Sequence, residues 1–259
     1  MRLLVLIKEV PDPDAPLTFL PDRGLDTTGE GRVLSPLDAV ALEGAIRWRE
    51  AGAIDEVVAI TVGPASWSGT LRTALALGAD RAFHLLIDPP PEPLIVARCL
   101  AAWIRSQMGS QEGATNGLDL VIAGRQSPDG DQGMTGPMLA GLLGWSQATR
   151  VISWQLAEAD RELVVVREVE DGEERVSLPL PAVVTVDPRL CEPRYASLPA
   201  IFKARQKPLA TVAAETLGID LQGKLTVIAT TEPPQRPPTV RLASVAELAA
   251  YIRAELARP

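Results

Sequence analysis

The chain has 259 residues, of which 46% are hydrophobic, and a formal net charge of −8. That length supplies a sizeable core for one large domain or a domain with an appended lobe, and the acidic balance argues against nucleic-acid binding and for a small-molecule or protein partner. No apolar run approaches the roughly 20 residues that span a bilayer, and two cysteines without a CxxC, beside a single histidine, argue against a zinc centre or disulfide framework.

Met1 to Lys8 (MRLLVLIK) reads as a strand buried on both faces, the usual first strand of a parallel sheet. It enters the chain with no signal-peptide or targeting pattern, so a cytoplasmic protein without direct membrane insertion is expected. Pro11 opens a long loop to Val33. The next helix is well marked: Ser35 can cap it, Pro36 suits its first position, Asp38 favours its first turn, and Leu37, Val40, Ala41, Gly44 and Trp48 repeat at helical spacing. Strands follow at Glu56 to Val62 and Ala82 to Ile87, with helices through Leu71 to Leu75 and Leu94 to Met108. This alternation predicts an α/β fold with a parallel, doubly wound sheet. Its ligands belong at the carboxyl ends of the strands, where Lys8–Asp12, Val62–Ser66 and Gly124–Gly133 converge. His84, within a strand and without a partner at strand spacing, reads as a packed or edge histidine.

Asp119 to Leu143 (DLVIAGRQSPDGDQGMTGPMLAGLL) is the most informative stretch. A short apolar strand, a polar Gly-rich loop and a helix that Thr135 or Gly136 can cap bring unpaired backbone N–H groups and the positive end of a helix dipole to one point. A phosphate can bind there. An ordinary strand-to-helix loop is the alternative, since the stretch is neither GxGxxG nor GxxxxGK[ST]. Ser66 to Thr70 (SWSGT) is a weaker phosphate-loop signal, without the glycine run of ATP-cleaving enzymes.

After Trp145 the pattern changes to hairpins, Val151 to Leu156, Leu163 to Val169 and Arg175 to Leu180, placed at the sheet edge, before a buried strand at Ala182 to Val186. Arg189 to Pro208 mixes Tyr195, Leu198, Ile201 and Phe202 with Arg189, Arg194, Lys203, Arg205 and Lys207. It reads either as a core-packed helix with a solvated basic side or as an apolar anchor ringed by charge. The tail is a proline-rich linker, Glu232 to Pro238, and an amphipathic helix capped by Ser244 with Glu247. Two regions are therefore expected: an α/β nucleotide-binding domain over residues 1–231 and a linker with C-terminal helix over 232–259.

Several motifs together resemble the β subunit of electron-transfer flavoprotein: IKEVPD, SPLDAVALEGAIRWRE, TVGPASWSGTLRTALALGADRA, DLVIAGRQSPDGDQGMTGPMLAGLLGW and VVREVEDGEERVSLPLPAVVTVDPRLCEPRYASLPAIFKARQKP. The resemblance implies an adenine-nucleotide-hydrolase-like sheet and a heterodimeric electron carrier, not an enzyme with its own turnover. The α subunit would hold most of the FAD. Donors would be acyl-CoA or related flavin dehydrogenases, and the acceptor a quinone oxidoreductase. It implies a nucleotide site at Gly124, Arg125, Gln126, Ser127, Asp129, Gly130, Asp131, Gln132, Gly133, Met134 and Thr135, with Leu6, Ser35, Pro36, Leu37, Asp38 and Val62. The nucleotide is AMP in the common branch and a second FAD in the electron-bifurcating branch. Gly133-Met134 and Ser35-Pro36 depart from the common pattern, whereas Asp129-Gly130-Asp131 and Gly136-Pro137 look more like the bifurcating one. Residues 186–208 match the donor-recognition loop, with Leu198 as anchor beside Tyr195, Ile201, Phe202 and Lys203. Glu168 matches an acid that contacts the mobile flavin domain, and the C-terminal helix is expected to pack on α.

Overall fold

The computed structural model describes residues 1–15, 19–20, 24–25, 31–107, 118–157, 161–225, 228–229, 231, 234, 236, 239 and 241–257. The chain divides into two compact units, Met1–Pro16 with Thr27–Thr226, and Leu17–Asp26 with Val227–Pro259. Most of the proline-rich linker, the middle of the loop after Pro11, and Met108 lie outside the described residues.

The strands of the first unit are β1 (Arg2–Leu6), β2 (Glu9–Pro11), β5 (Arg32–Leu34), β6 (Glu56–Gly63), β7 (Arg81–Leu86), β8 (Leu118–Gly124), β9 (Ser146–Ala157), β10 (Glu162–Val169), β11 (Gly172–Pro179), β12 (Ala182–Val186) and β13 (Leu209–Ala213); β3 (Phe19–Leu20) and β4 (Gly24–Leu25) belong to the second. The helices are α1 (Pro36–Glu50), α2 (Ser68–Leu77), α3 (Pro93–Gln107), α4 (Thr135–Leu143) and α5 (Leu198–Ala204), with α6 (Val245–Leu256) in the second unit. Nine strands form one sheet in the order β11-β10-β9-β12-β8-β1-β6-β7-β13. From β9 to β13 all pairings are parallel, and β10 and β11 are antiparallel additions at one edge.

The period of two along β1 explains why its apolar run is unbroken. Leu3 and Val5 enter the layer made with α1 and α2, whereas Leu4 and Leu6 enter the layer made with α3 and α4. Leu3 and Leu4 are fully buried, each stabilising the fold by roughly 1.5–3 kcal/mol relative to exposure. The expected doubly wound sheet is therefore present. The hairpin reading needs one correction: the strand expected from Val151 starts at Ser146 and pairs parallel with β12, so it belongs to the parallel sheet, and only its later partners are a true edge meander. β13 was not expected. Its five residues are half-buried or exposed and carry only a weak apolar pattern, yet they pair with β7 along their whole length.

His84 is a packed histidine, as read. It lies inside the sheet on β7 between β6 and β13, with Nε2 at 3.1 Å from the Gly63 carbonyl oxygen, and burial lowers its pKa. Cys99 and Cys191 are free thiols, and burial pushes the Cys99 thiol up to about 11. Among the described residues no helix is long and apolar enough to cross a membrane.

The chain reverses its direction of travel across the sheet between β1 and β8, and Asp38 closes that point. Its carboxylate accepts the Lys8 amide at 2.9 Å and the Gly124 amide at 2.9 Å, tying the ends of both strands to the first turn of α1. A helix-start carboxylate thus satisfies two strand-end donors that would otherwise be buried orphans. Ser35 occupies the capping position but makes no side-chain capping bond, contrary to expectation, and its backbone N–H donates to the Lys8 carbonyl at 2.9 Å. Gly124 is required by this closeness: a Cβ there would meet Leu37 Cβ at 2.7 Å and Asp38 Oδ1 at 2.8 Å.

Burial raises the Asp38 pKa to about 7, against the lowering effect of its two amide bonds. The folded state therefore holds this proton more tightly than the unfolded chain, whose carboxylate titrates near pH ~4. The stabilisation is complete below that value and is lost as pH rises to about 7. In urea titrations the wild type should lose stability relative to Asp38→Asn by about 1.4 kcal/mol per pH unit across this window; parallel pH profiles would overturn the assignment. Gly124→Ala should destabilise by about 3 kcal/mol, beyond the ~1 kcal/mol scale of a strand-propensity change, measured by chemical denaturation.

Candidate functional site

Of the three loops expected to converge, those at the carboxyl ends of β1 and β8 are in direct contact. Lys8 Nζ donates to Ser127 Oγ at 3.1 Å and to Asp129 Oδ1 at 2.7 Å, so the first loop holds the Gly-rich loop directly. Glu9 is buried between Thr70, whose hydroxyl donates to it, and Arg32 Nε at 2.8 Å, which joins the first loop to the start of α2. Leu6 and Val62 are buried near the ends of their strands, Ser35 and Asp38 are buried at the start of α1, Leu37 is half-buried and Pro36 exposed.

Within the Gly-rich loop, the Asp131 and Gly130 amides donate to the Ser127 carbonyl at 2.8 and 3.2 Å, closing a turn. Asp131 and Gly133 take positive φ, 50° and 60°, and Gln126 Nε2 donates to Asp131 Oδ1 at 2.9 Å. Asp129, Gly130, Asp131, Gln132 and Met134 are exposed, while Arg125, Ser127, Gly133 and Thr135 are half-buried. Neither Thr135 nor Gly136 caps the following helix, contrary to expectation: Met134 stands at the capping position, Thr135 is the first helical residue, and no side chain caps the end. The first-turn amides of Thr135 and Gly136 are consequently available to an acceptor, whereas Pro137 has none to offer. Gly136 lets the helix approach β12, since a Cβ would meet Thr185 Cγ2 at 2.6 Å. Ser35 Oγ is buried without a partner among the described residues, an orphan at the crevice between α1 and β8. A polyhydroxylated, phosphorylated nucleotide has the acceptors that these groups lack.

Beside the loop lies a cavity of about 440 Å³ lined by Arg125, Gln126, Gly133, Thr149, Arg150 and Thr185. Three of these belong to the expected site. Thr149, Arg150 and Thr185 were missed, because they come from β9 and β12, and no local pattern marks them. Leu6, Ser35 to Asp38 and Val62 do not line this cavity.

Residues 186–208 resolve into a latched base and an apolar tip. Ser197 caps α5, its Oγ accepting the Ala200 amide at 3.4 Å. Tyr195 is 98% exposed, Leu198 72% and Phe202 62%, with Ile201 and Lys203 also exposed. The helix buries Ala204 but not these large apolar groups, so the core-packed reading does not hold and the tip stands exposed. Its basic ring is smaller than expected. Arg194 donates to Glu43 Oε2 at 2.6 Å and to Glu50 Oε1 at 2.6 Å on α1, Lys207 Nζ donates to the carbonyls of Leu75 and Ala79 at the end of α2, and Arg189 pairs with Glu168 at 2.8 Å and with Asp187 at 3.1 Å. Lys203 and Arg205 remain exposed, with the Arg205 guanidinium over the Phe202 ring at 5.5 Å. Burial would raise the Glu43 pKa, but the Arg194 and Arg47 guanidinium groups hold it below the ordinary value. Glu168 also pairs with Arg150.

A family model described as electron transfer flavoprotein domain matches residues 23–217. The mitochondrial electron transfer flavoprotein subunit beta of Oryza sativa subsp. indica is 45% identical over 253 residues, covering 96% of each chain. The human subunit beta is 41% identical over 259 residues, 98% of this chain and 97% of its own, and that of Bradyrhizobium diazoefficiens is 40% identical over 256 residues, 98% of each. The doubly wound sheet, the Gly-rich loop at its reversal point and near-complete coverage agree: the chain belongs to the electron transfer flavoprotein β subunit family.

Proposed function

We propose that this chain is the β subunit of a heterodimeric electron carrier, binding AMP as a structural element and selecting the electron donor through its protruding tip. The observation that carries the nucleotide reading is the Asp38 bridge, which sets the start of α1, the end of β1 and the Gly-rich loop around one crevice. In this reading the adenosine part lies against Leu6, the Ser35–Asp38 turn and Val62, and its phosphate meets the first-turn amides of α4. FAD, held mostly by an α subunit, would supply the electron-carrying chemistry. The β chain contributes no substrate-turning group; it orients, docks and stabilises. Glu168 would face the flavin-bearing part of α, and α6, whose Val245, Leu248, Tyr251, Ile252 and Leu256 are exposed, would pack on that subunit. The carrier would work in the cytoplasm.

The docking reading is supported by the exposed Leu198 and Phe202 above a base that Arg194 and Lys207 fasten to α1 and α2. Such a tip suits brief apolar contact with an acyl-CoA or related flavin dehydrogenase, and onward transfer to a quinone oxidoreductase requires rapid release.

Chromatography of the nucleotides released on denaturing the native complex should give one FAD and one AMP per heterodimer; two FADs would place the chain in the bifurcating branch, and no flavin would overturn the carrier reading. Leu198→Ala should slow electron transfer from the donor dehydrogenase by about tenfold, the scale of one apolar anchor, while flavin content stays intact. Unchanged transfer would remove Leu198 from the docking role.

A further inference from the structure

One helix reaches from the crevice to the docking segment. The first turn of α1 closes the crevice, where Asp38 accepts the Lys8 and Gly124 amides. Further along, Val40, Glu43, Gly44, Arg47 and Glu50 recur at spacings of three and four, which places them on one face. That face holds the base of residues 186–208. Cys191 Sγ donates to the Val40 carbonyl at 3.5 Å, a Cβ at Gly44 would meet Leu190 Cδ2 at 3.0 Å, and the Arg47 guanidinium donates to the Glu192 carbonyl at 2.9 Å. Arg194 donates to both oxygens of Glu43, at 2.6 and 3.1 Å, and to both of Glu50, at 2.6 and 2.8 Å. From Asp38 to Glu50 the helix runs about 18 Å. A second tie has the same direction: the Arg125 amide, in the Gly-rich loop, donates to the Val186 carbonyl at 3.0 Å, and its guanidinium to Asp187 at 2.7 Å. At the crevice end α1 is the less satisfied, since no side chain caps it and Ser35 Oγ is buried without a partner among the described residues.

We propose that α1 couples the two sites, so that a filled crevice strengthens donor docking at the tip and a docked donor slows release of the nucleotide. The coupling rests on the nucleotide and docking readings given above. A ligand that bonds the Ser35 hydroxyl orders the first turn of α1, the turn that has no capping bond of its own. The helix is continuous from there to Glu50 and carries that order to the base of the tip, so a donor that binds the ordered tip binds it more tightly when the crevice is filled. Such a coupling is reciprocal, and the donor tightens the nucleotide by the same factor. Arg194 is the positioning residue, because its charge-assisted bonds fasten α1 to the residue next to Tyr195.

The test follows release of labelled AMP from the native heterodimer during a chase with unlabelled AMP, alone and with a saturating acyl-CoA dehydrogenase. Affinity differences within one complex fall mainly on the dissociation rate. Release should slow about fivefold when the dehydrogenase is bound, the lower end of usual couplings. In Arg194→Gln this factor should fall to near one at saturating dehydrogenase. Glu50→Gln, which leaves the Arg194 bonds to buried Glu43 in place, should lower it in the same direction, and circular dichroism establishes that both variants are folded. A residue that only stabilised the fold would shift the unfolding curve and leave the factor untouched. Equal release with and without the dehydrogenase, or an undiminished factor in both variants, would overturn the coupling. The readings beneath it fail separately: a heterodimer that takes up no AMP removes the nucleotide reading, and one that forms no complex with the dehydrogenase in sedimentation removes the docking reading, each taking the coupling with it.

Discussion

A buried carboxylate at the reversal point of the sheet is the constraint on which the rest depends. β1 and β8 end side by side with their amides facing the interior, and Asp38 reaches both from the first turn of α1. Removing an ionised carboxylate from water is expensive, and two amide bonds offset only part of that cost, so the group keeps its proton up to about neutral pH. Because α1, β1 and β8 are fixed to one another here, the crevice between them has a defined width. Gly124 is the corollary, since no side chain fits between the strand end and the Leu37 backbone.

The same economy governs the segment of residues 186–208. Its charges look, in sequence, like a solvated ring, but most of them work inward: Arg194 spans Glu43 and Glu50, Lys207 closes the end of α2, and Arg189 joins Asp187 to Glu168. Arg72 adds two bonds, to the Ala204 and Lys207 carbonyls at 2.8 and 2.9 Å. The tip that carries Tyr195, Leu198 and Phe202 thus stands on a stiff base. A partner meeting it would not have to order the loop first, which lowers the entropic cost of association.

How much of this could be read from the chain depended on the range of the interaction. β1, β6, β7 and β8 and the helices between them were legible because unbroken apolar runs, Pro36 at a helix start and Gly78 at a helix end are local signals. The Gly-rich loop was legible for the same reason. The capping bonds were misjudged: Ser35 holds the capping position of α1 without making the bond, and Met134, not Thr135, stands at the start of α4. The Thr149, Arg150 and Thr185 wall was invisible because it exists only where β9 lies beside β12. Likewise nothing near Arg194 in sequence announces Glu43, 151 residues away.

The place of β1 in the sheet has a consequence for how the protein is made. β1, a central strand, leaves the ribosome before both strands that flank it, β6, which ends at Gly63, and β8, which ends at Gly124. At typical rates of about 5–20 residues per second, its second neighbour is synthesised on the order of ten seconds later. Until then a bare apolar edge is available for wrong pairing, and parallel neighbours so distant along the chain close slowly. Nascent copies of this subunit should therefore depend on chaperones most strongly before residue 124 has emerged.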